Sequence, residues 1–251
     1  MINKKLGLAL AAVSVMVLAG CKNMSPDAML STGMKAFEAA TLSDAEIKSI
    51  ANEACMAYDA EATIASPDSK YAKRLEKLAG KFGTNVDGET LNYKVYMDEG
   101  NINAWAMANG CIRVYSGLMD FMNDDEVSGV IGHEIGHVVE GHRKKATQVA
   151  YAAEIARDAA AQSSNNAVAA LSQSELGDIA QALINAQFSQ AQEFEADDYA
   201  LALLKKNGLN QEGMASAFEK LATLGGESSM FSTHPDSAER AKRMREQIKT
   251  Q

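Results

Sequence analysis

The chain has 251 residues, 47% of them hydrophobic and 23% charged, with only three prolines. This is the composition of an ordinary globular protein, one domain with a small appendage, and it excludes whole-chain disorder and fibrous or collagen-like structure. A formal net charge of −9, from 24 Lys+Arg against 33 Asp+Glu, argues against a nucleic-acid partner, which needs a basic face.

The amino terminus reads as a targeting signal. Lys4 and Lys5 make a short positive start, and Leu6 to Leu18 is apolar but shorter than the roughly 20 residues a spanning helix needs. The run ends in Leu18-Ala19-Gly20-Cys21, which resembles the lipobox of bacterial lipoproteins. That resemblance implies removal of a signal peptide, 1–20, and an acylated Cys21 that anchors the chain without a spanning helix. Lys22 follows, not the Asp that favours inner-membrane retention, so the sorting pattern implies the outer membrane, with the body facing the periplasm. Lipidation of Cys21 leaves Cys55 and Cys111 as an even pair in an oxidising compartment. They are expected to form a disulfide; two buried free thiols are the other possibility.

Residues 21–43 are polar and read as a tether, with the folded domain at 44–251. Ser43-Asp44-Ala45-Glu46 has capping-box spacing, and Ile47, Ile50 and Ala51 follow at helical intervals, which predicts a helix from about 44 to 60. Tyr71, Leu75, Leu78 and Phe82 predict a second amphipathic helix over 69–82, stopped by Gly83. Leu91, Tyr93, Val95 and Met97 alternate with polar neighbours as a half-buried strand, and Glu99-Gly100-Asn101 supplies a turn. Alternation resumes at Cys111, Arg113 and Tyr115, a further strand. Trp105, Met107, Met119 and Met122 are read as packing. Beyond Asn123 the chain is helical: an Ala-, Ser-, Gln- and Asn-rich stretch over 144–178, read as a helical hairpin or lid, then helices near 179–205, 211–223 and 236–249. The fold class is α+β, mostly helical, with a small sheet.

His133-Glu134-Ile135-Gly136-His137 carries the chemistry. Residues four apart on a helix lie about 40° apart around its axis, so both imidazoles project toward one point, where Zn²⁺ accepts neutral imidazole nitrogen. Glu134 is placed to act on water, not to ligate. Val127, Val130, Ile131, Val138 and Val139 imply that this helix is buried, where two histidines and a glutamate are costly without partners. A catalytic zinc keeps three protein ligands. Nine residues beyond His133, His142 falls about 180° around a continued helix and is read as a surface or capping residue. Glu193-Phe194-Glu195-Ala196-Asp197 is the better source: Glu193 and Asp197 share a face, one to ligate and one to orient a ligand histidine, while Glu195 is turned toward solvent.

HExxH followed by ExxxD on a later helix resembles the gluzincin arrangement. In detail the chain is similar to the zinc metallopeptidase family of the CaaX prenyl proteases and bacterial periplasmic proteases, and most of all to its outer-membrane lipoprotein members. Asn103-Ala104-Trp105-Ala106, Gly110 to Leu118, the Glu-x-Glu-Ala-Asp element and His234-Pro235 with Arg240 carry the likeness, which runs from about 44 to 245. It implies a zincin-like domain with its sheet beside the HExxH helix. One Zn²⁺ per chain would be held by His133, His137 and Glu193, with Glu134 as general base and Asp197 in support. His234 would stabilise the oxyanion or cap the zinc, and Arg240 would orient either one. Residues 103–116, with Asn103 and Ala104, would form an edge strand to which an extended substrate adds. The implied activity is cleavage of unfolded or misassembled envelope proteins, with an envelope protease or assembly machinery as a further partner. The alternative is a lipoprotein chaperone or assembly factor whose zinc site is latent.

Overall fold

The computed structural model describes residues 41–161, 173–224, 230 and 234–250; the signal segment, Cys21 and most of the tether lie outside them. Helix α1 (Asp44–Glu61) opens on the expected capping box, the Ser43 hydroxyl accepting from the Glu46 N–H while the Glu46 carboxylate accepts from the Ser43 N–H. Helix α2 (Lys70–Ala79) is capped by Ser69 and ends three residues before the predicted Phe82. Phe82 still reaches the core from the turn that follows, and the chain reverses at Gly83, whose φ of +84° suits glycine.

A short hairpin comes next, β1 (Asn85–Val86) and β2 (Glu89–Thr90), turning through Asp87 and Gly88, both at positive φ. The main sheet has β3 (Asn92–Tyr96), β4 (Ala104–Ala106) and β5 (Cys111–Tyr115) in the order β3-β5-β4, with β3 parallel and β4 antiparallel to β5. Every residue of β5 is buried, because both faces of the sheet are covered. Ile112 and Val114 join a core with α2 and the later helices. Cys111, Tyr115, Trp105 and Tyr96 join a second core with α1 and with Ile179, Ala180 and Leu183. A disulfide between Cys55 and Cys111 ties α1 to β5 across this second core. Beside it the buried Arg113 makes a two-point ion pair with Asp59.

After α3 (Ser116–Phe121), α4 (Asp124–Val139) starts on a capping box between Asn123 and Glu126 and carries the HExxH motif. All residues from Glu126 to Val138 are buried. Further helices among the described residues are α5 (His142–Ala161), α6 (Gln173–Ile184), α7 (Gln190–Lys206), α8 (Glu212–Leu224) and α9 (Ser237–Thr250). α4 lies against α7 and α8 at backbone distance: a Cβ on Gly129 would stand 2.5 Å from Met214 Cα, and one on Gly136 2.7 Å from the Ala196 carbonyl oxygen. The single helix predicted near 179–205 is two. The chain leaves α6 at Ile184 and restarts at Ser189, whose side chain caps α7 in a box with Gln192. The 144–178 stretch is helical at both ends, and residues 162–172 within it lie outside the described residues. Among the described residues no helix is long and apolar enough to cross a membrane.

Candidate metal centre

One turn apart on α4, His133 and His137 bring their Nε2 atoms within 3.0 Å of each other. Glu193, in the first turn of α7, faces both, at 3.5 Å from His133 Nε2 and 3.6 Å from His137 Nε2. His234, just before α9, adds Nδ1 at 3.1 Å from His133 Nε2 and 3.1 Å from Glu193 Oε1. One ligand atom from each of the four lies within 4.8 Å of the others, and all four residues are buried. Lone pairs from imidazoles and a carboxylate facing one another away from water call for a cation, and a three-nitrogen, one-oxygen set is what Zn²⁺ takes.

The electrostatics agree. Burial holds His133 and His137 below the usual imidazole range, so both are neutral, the form that gives a lone pair to a metal. Burial pushes Glu193 up, but His234 and Arg240 outweigh it and keep the carboxylate ionised. Burial also opposes charge on His234, yet the Glu193 and Glu134 carboxylates hold it up at about 9. A divalent cation at the same point would take over that proton's role and release it.

Around the four donors stand their supports. Asp197, one turn after Glu193, lies 3.0 Å from His133 Nδ1. The fully buried Arg240 holds Asp197 with two hydrogen bonds, at 2.8 and 2.6 Å, touches Glu193 and lies over the Phe218 ring. Glu134 accepts from Arg143 Nη2 at 2.7 Å, and its other oxygen, which makes no hydrogen bond, faces His234 Nε2 at 3.3 Å. Burial raises Glu134, but Arg143 and then His234 outweigh it and hold it at about 2.

The sequence-predicted residues His133, Glu134, His137, Glu193, Asp197, His234 and Arg240 thus converge on one place. The 103–116 segment is not one edge strand: only β4 (Ala104–Ala106) is at an edge, β5 lies between β3 and β4, and Asn103 precedes β4 with its carbonyl accepting from the Tyr115 N–H. Asn103 and Ala104 are both buried. Two further expectations need correction. His142 is not a surface residue: α4 stops at Val139, Gly141 turns the chain at φ +73°, and His142 folds back to place Nδ1 3.0 Å from His137 Nδ1. Glu195 is exposed but not merely solvated, since it lies 3.0 Å from His142 Nε2. Arg143 and Phe188 were missed altogether. Phe188 stacks on His137 at 4.1 Å between ring centroids, and the Arg143 guanidinium lies over Phe188 while reaching the Leu183 carbonyl. Phe188 sits in the very break between α6 and α7 that the helical pattern hid.

Residues 65–248 match the family model described as peptidase family M48. Metalloprotease LoiP of Escherichia coli (strain K12) is 53% identical over 247 residues, 97% of each chain. Metalloprotease YcaL of the same strain is 50% identical over 251 residues, 98% of each. A putative beta-barrel assembly-enhancing protease of Vibrio cholerae is 32% identical over 164 residues, which are 57% of this chain and 33% of that one. With the HExxH helix, Glu193 and His234 gathered into one buried donor set, the chain belongs to peptidase family M48 and is a zinc-dependent metallopeptidase.

Proposed function

We propose that the protein is an endopeptidase anchored to the outer membrane through a lipidated Cys21, facing the periplasm and cleaving misfolded or misassembled envelope proteins. The observation that carries the catalytic part is Glu134: a buried carboxylate with one oxygen free of hydrogen bonds, beside the convergent His133, His137 and Glu193 donors. In this reading those three hold one Zn²⁺, which supplies a Lewis acid to polarise the scissile carbonyl and acidify water. Glu134 takes the proton of the attacking water and delivers it to the leaving amine. Asp197, held by Arg240, fixes the ring of His133. His234 Nε2, facing Glu134, is placed to stabilise the developing oxyanion. An extended chain would add along the outer edge of β4 (Ala104–Ala106), the end strand of the sheet, by backbone hydrogen bonds, a mode that reads no particular side chain and suits unfolded substrates. The lipobox-like Leu18 to Cys21 and the Cys55–Cys111 bridge support an oxidising envelope compartment. The name of the Vibrio relative ties that protein to β-barrel assembly, which motivates the envelope substrates proposed here.

A second reading, a chaperone or assembly factor with a latent site, is favoured by one feature: His234 completes a four-donor set where a catalytic zinc keeps a position open. Zinc content and hydrolysis of an unfolded protein, compared between the parent and Glu134→Gln, separate the two. Glutamine keeps the shape without the base. The protease reading expects about one zinc in both and a rate lower by about 10²–10⁴-fold in the variant. Zinc in both with no cleavage by either favours latency, and His234→Ala would then unmask activity. Mass spectrometry of the mature amino terminus tests the anchor, and an unmodified Cys21 would sink it.

A further inference from the structure

The two histidines of the motif are held differently. Each turns Nε2 toward the shared point, so each needs a partner for Nδ1. For His133 that partner is the Asp197 carboxylate. For His137 it is a second imidazole, His142, with Nδ1 to Nδ1 at 3.0 Å, and the far nitrogen of His142 lies 3.0 Å from Glu195 Oε2. We infer that His142 and Glu195 form a positioning relay that holds His137 in the orientation and tautomer needed to bind the metal. The inference rests on the zinc-site reading above and adds two residues that it does not use.

Proton placement gives the relay a direction. An imidazole that offers Nε2 to a metal carries its proton on Nδ1. His137 Nδ1–H therefore donates to His142 Nδ1, which must be the bare nitrogen. The His142 proton then sits on Nε2 and donates to the Glu195 carboxylate. Each link has one donor and one acceptor. The reversed chain would put a proton on His137 Nε2, aimed at His133 Nε2 3.0 Å away. Only the forward chain leaves the lone pair where the other donors converge.

The local structure supplies the means. Gly141, at φ +73°, reverses the chain directly after α4 and brings the first residue of α5 beneath His137. His142 is 5% exposed, and Phe188 covers the His137 ring. The Glu195 side chain is 60% exposed, so the relay runs from the buried donor set out to solvent. α7 thereby contributes three of its four clustered carboxylates: Glu193 to the centre, Asp197 to one histidine, and Glu195, through His142, to the other, while Asp198 pairs with Arg243.

The test is zinc affinity, measured by competition with a chromogenic chelator, which reads the site whether or not the protein cleaves anything. Loss of such an outer partner weakens metal binding about 10–100-fold, and that loss is expected for His142→Leu. His142→Asn keeps a carbonyl oxygen to accept from His137 and should recover most of the affinity. Glu195→Ala, a surface change that folding tolerates, should weaken binding by up to about tenfold alone and have no further effect in the His142→Leu background. A packing role alone would make Asn as poor as Leu and the double variant additive; either result overturns the relay, as does parental affinity in His142→Leu. A parent that binds no zinc would overturn the zinc-site reading itself, which is a different failure from a zinc-binding parent whose variants match it.

Discussion

Gly136 and Gly132 lie one turn apart on α4, and the same substitution should move stability in opposite directions at the two. A Cβ on Gly136 would stand 2.7 Å from the Ala196 oxygen and 3.0 Å from Ala196 Cα, both backbone atoms of α7. Ala196 lies between Glu193 and Asp197, so α7 cannot back away without drawing both carboxylates from the histidines. Overpacking of this kind costs about 1–3 kcal/mol, against a helix-propensity gain of up to about 1 kcal/mol for alanine over glycine. The net expectation for Gly136→Ala is a loss of about 1–2 kcal/mol without metal, with weaker zinc binding besides. At Gly132 the new methyl would meet Ala200 Cβ at 3.6 Å and Leu204 Cγ at 3.8 Å, ordinary contact distances. There the propensity term prevails, and the variant should gain about 0.5–1 kcal/mol. Urea unfolding in a chelator, followed by the fluorescence of Trp105, the only tryptophan, gives both numbers. Gly136→Ala at or above the Gly132→Ala midpoint, with parental zinc affinity, would refute the argument that this contact sets the position of α7.

Three more predictions concern the framework. Replacing both Cys55 and Cys111 with serine opens a loop of 56 residues and should lower stability by about 4 kcal/mol in the chain-entropy model, read from denaturant midpoints; a loss under about 1 kcal/mol would speak against a structural bridge. Arg240→Met leaves Asp197 and Glu193 buried without their guanidinium and should cost about 3–5 kcal/mol in chelator, while a loss near zero would mean that the contacts do not pair charge. Burial raises Asp59, but hydrogen bonds from Arg113, Lys94 and Tyr96 outweigh it and hold the carboxyl at about 2. A lowered folded-state value means that Asp59 adds stability above its unfolded value of 3.8 and loses it as pH falls from there through about 2. Asp59→Asn should flatten that acid limb and, by leaving Arg113 buried without its carboxylate, cost about 3 kcal/mol at neutral pH, both visible in urea midpoints against pH.

The donor set was legible where its geometry is local. Spacing alone put His133 and His137 on one face and paired Glu193 with Asp197, and the capping box at Ser43 marked the start of α1. Reading failed where a helix was assumed to continue. The 180° placement of His142 presumed that α4 ran on past Gly141, although a glycine after the last turn is a common stop. The break at 185–189 was hidden by a helical pattern on both sides, yet Ser189-Gln190-Ala191-Gln192 has the spacing of a capping box, and Asp87-Gly88 is an ordinary hairpin signal. Other features had no local signal. Arg113 needs Asp59 from another element, Arg143 meets Glu134 only after the chain reverses, and His234 joins His133 across 101 residues. The resemblance to a family, not any spacing, pointed to His234.

The contact at Gly136 has a mechanical consequence. Helices α4 and α7 touch backbone to backbone there, and between them they carry His133, His137 and Glu193, so these three donors move as one body. His234 enters from the segment before α9, Arg143, which pairs with Glu134, comes from α5, and Phe188, which stacks on His137, comes from the α6–α7 connection. The site therefore has one fixed jaw and one assembled from separate strands of chain. Displacing the second jaw would take His234 out of the donor set and bare Glu134, while His133, His137 and Glu193 kept their positions relative to one another.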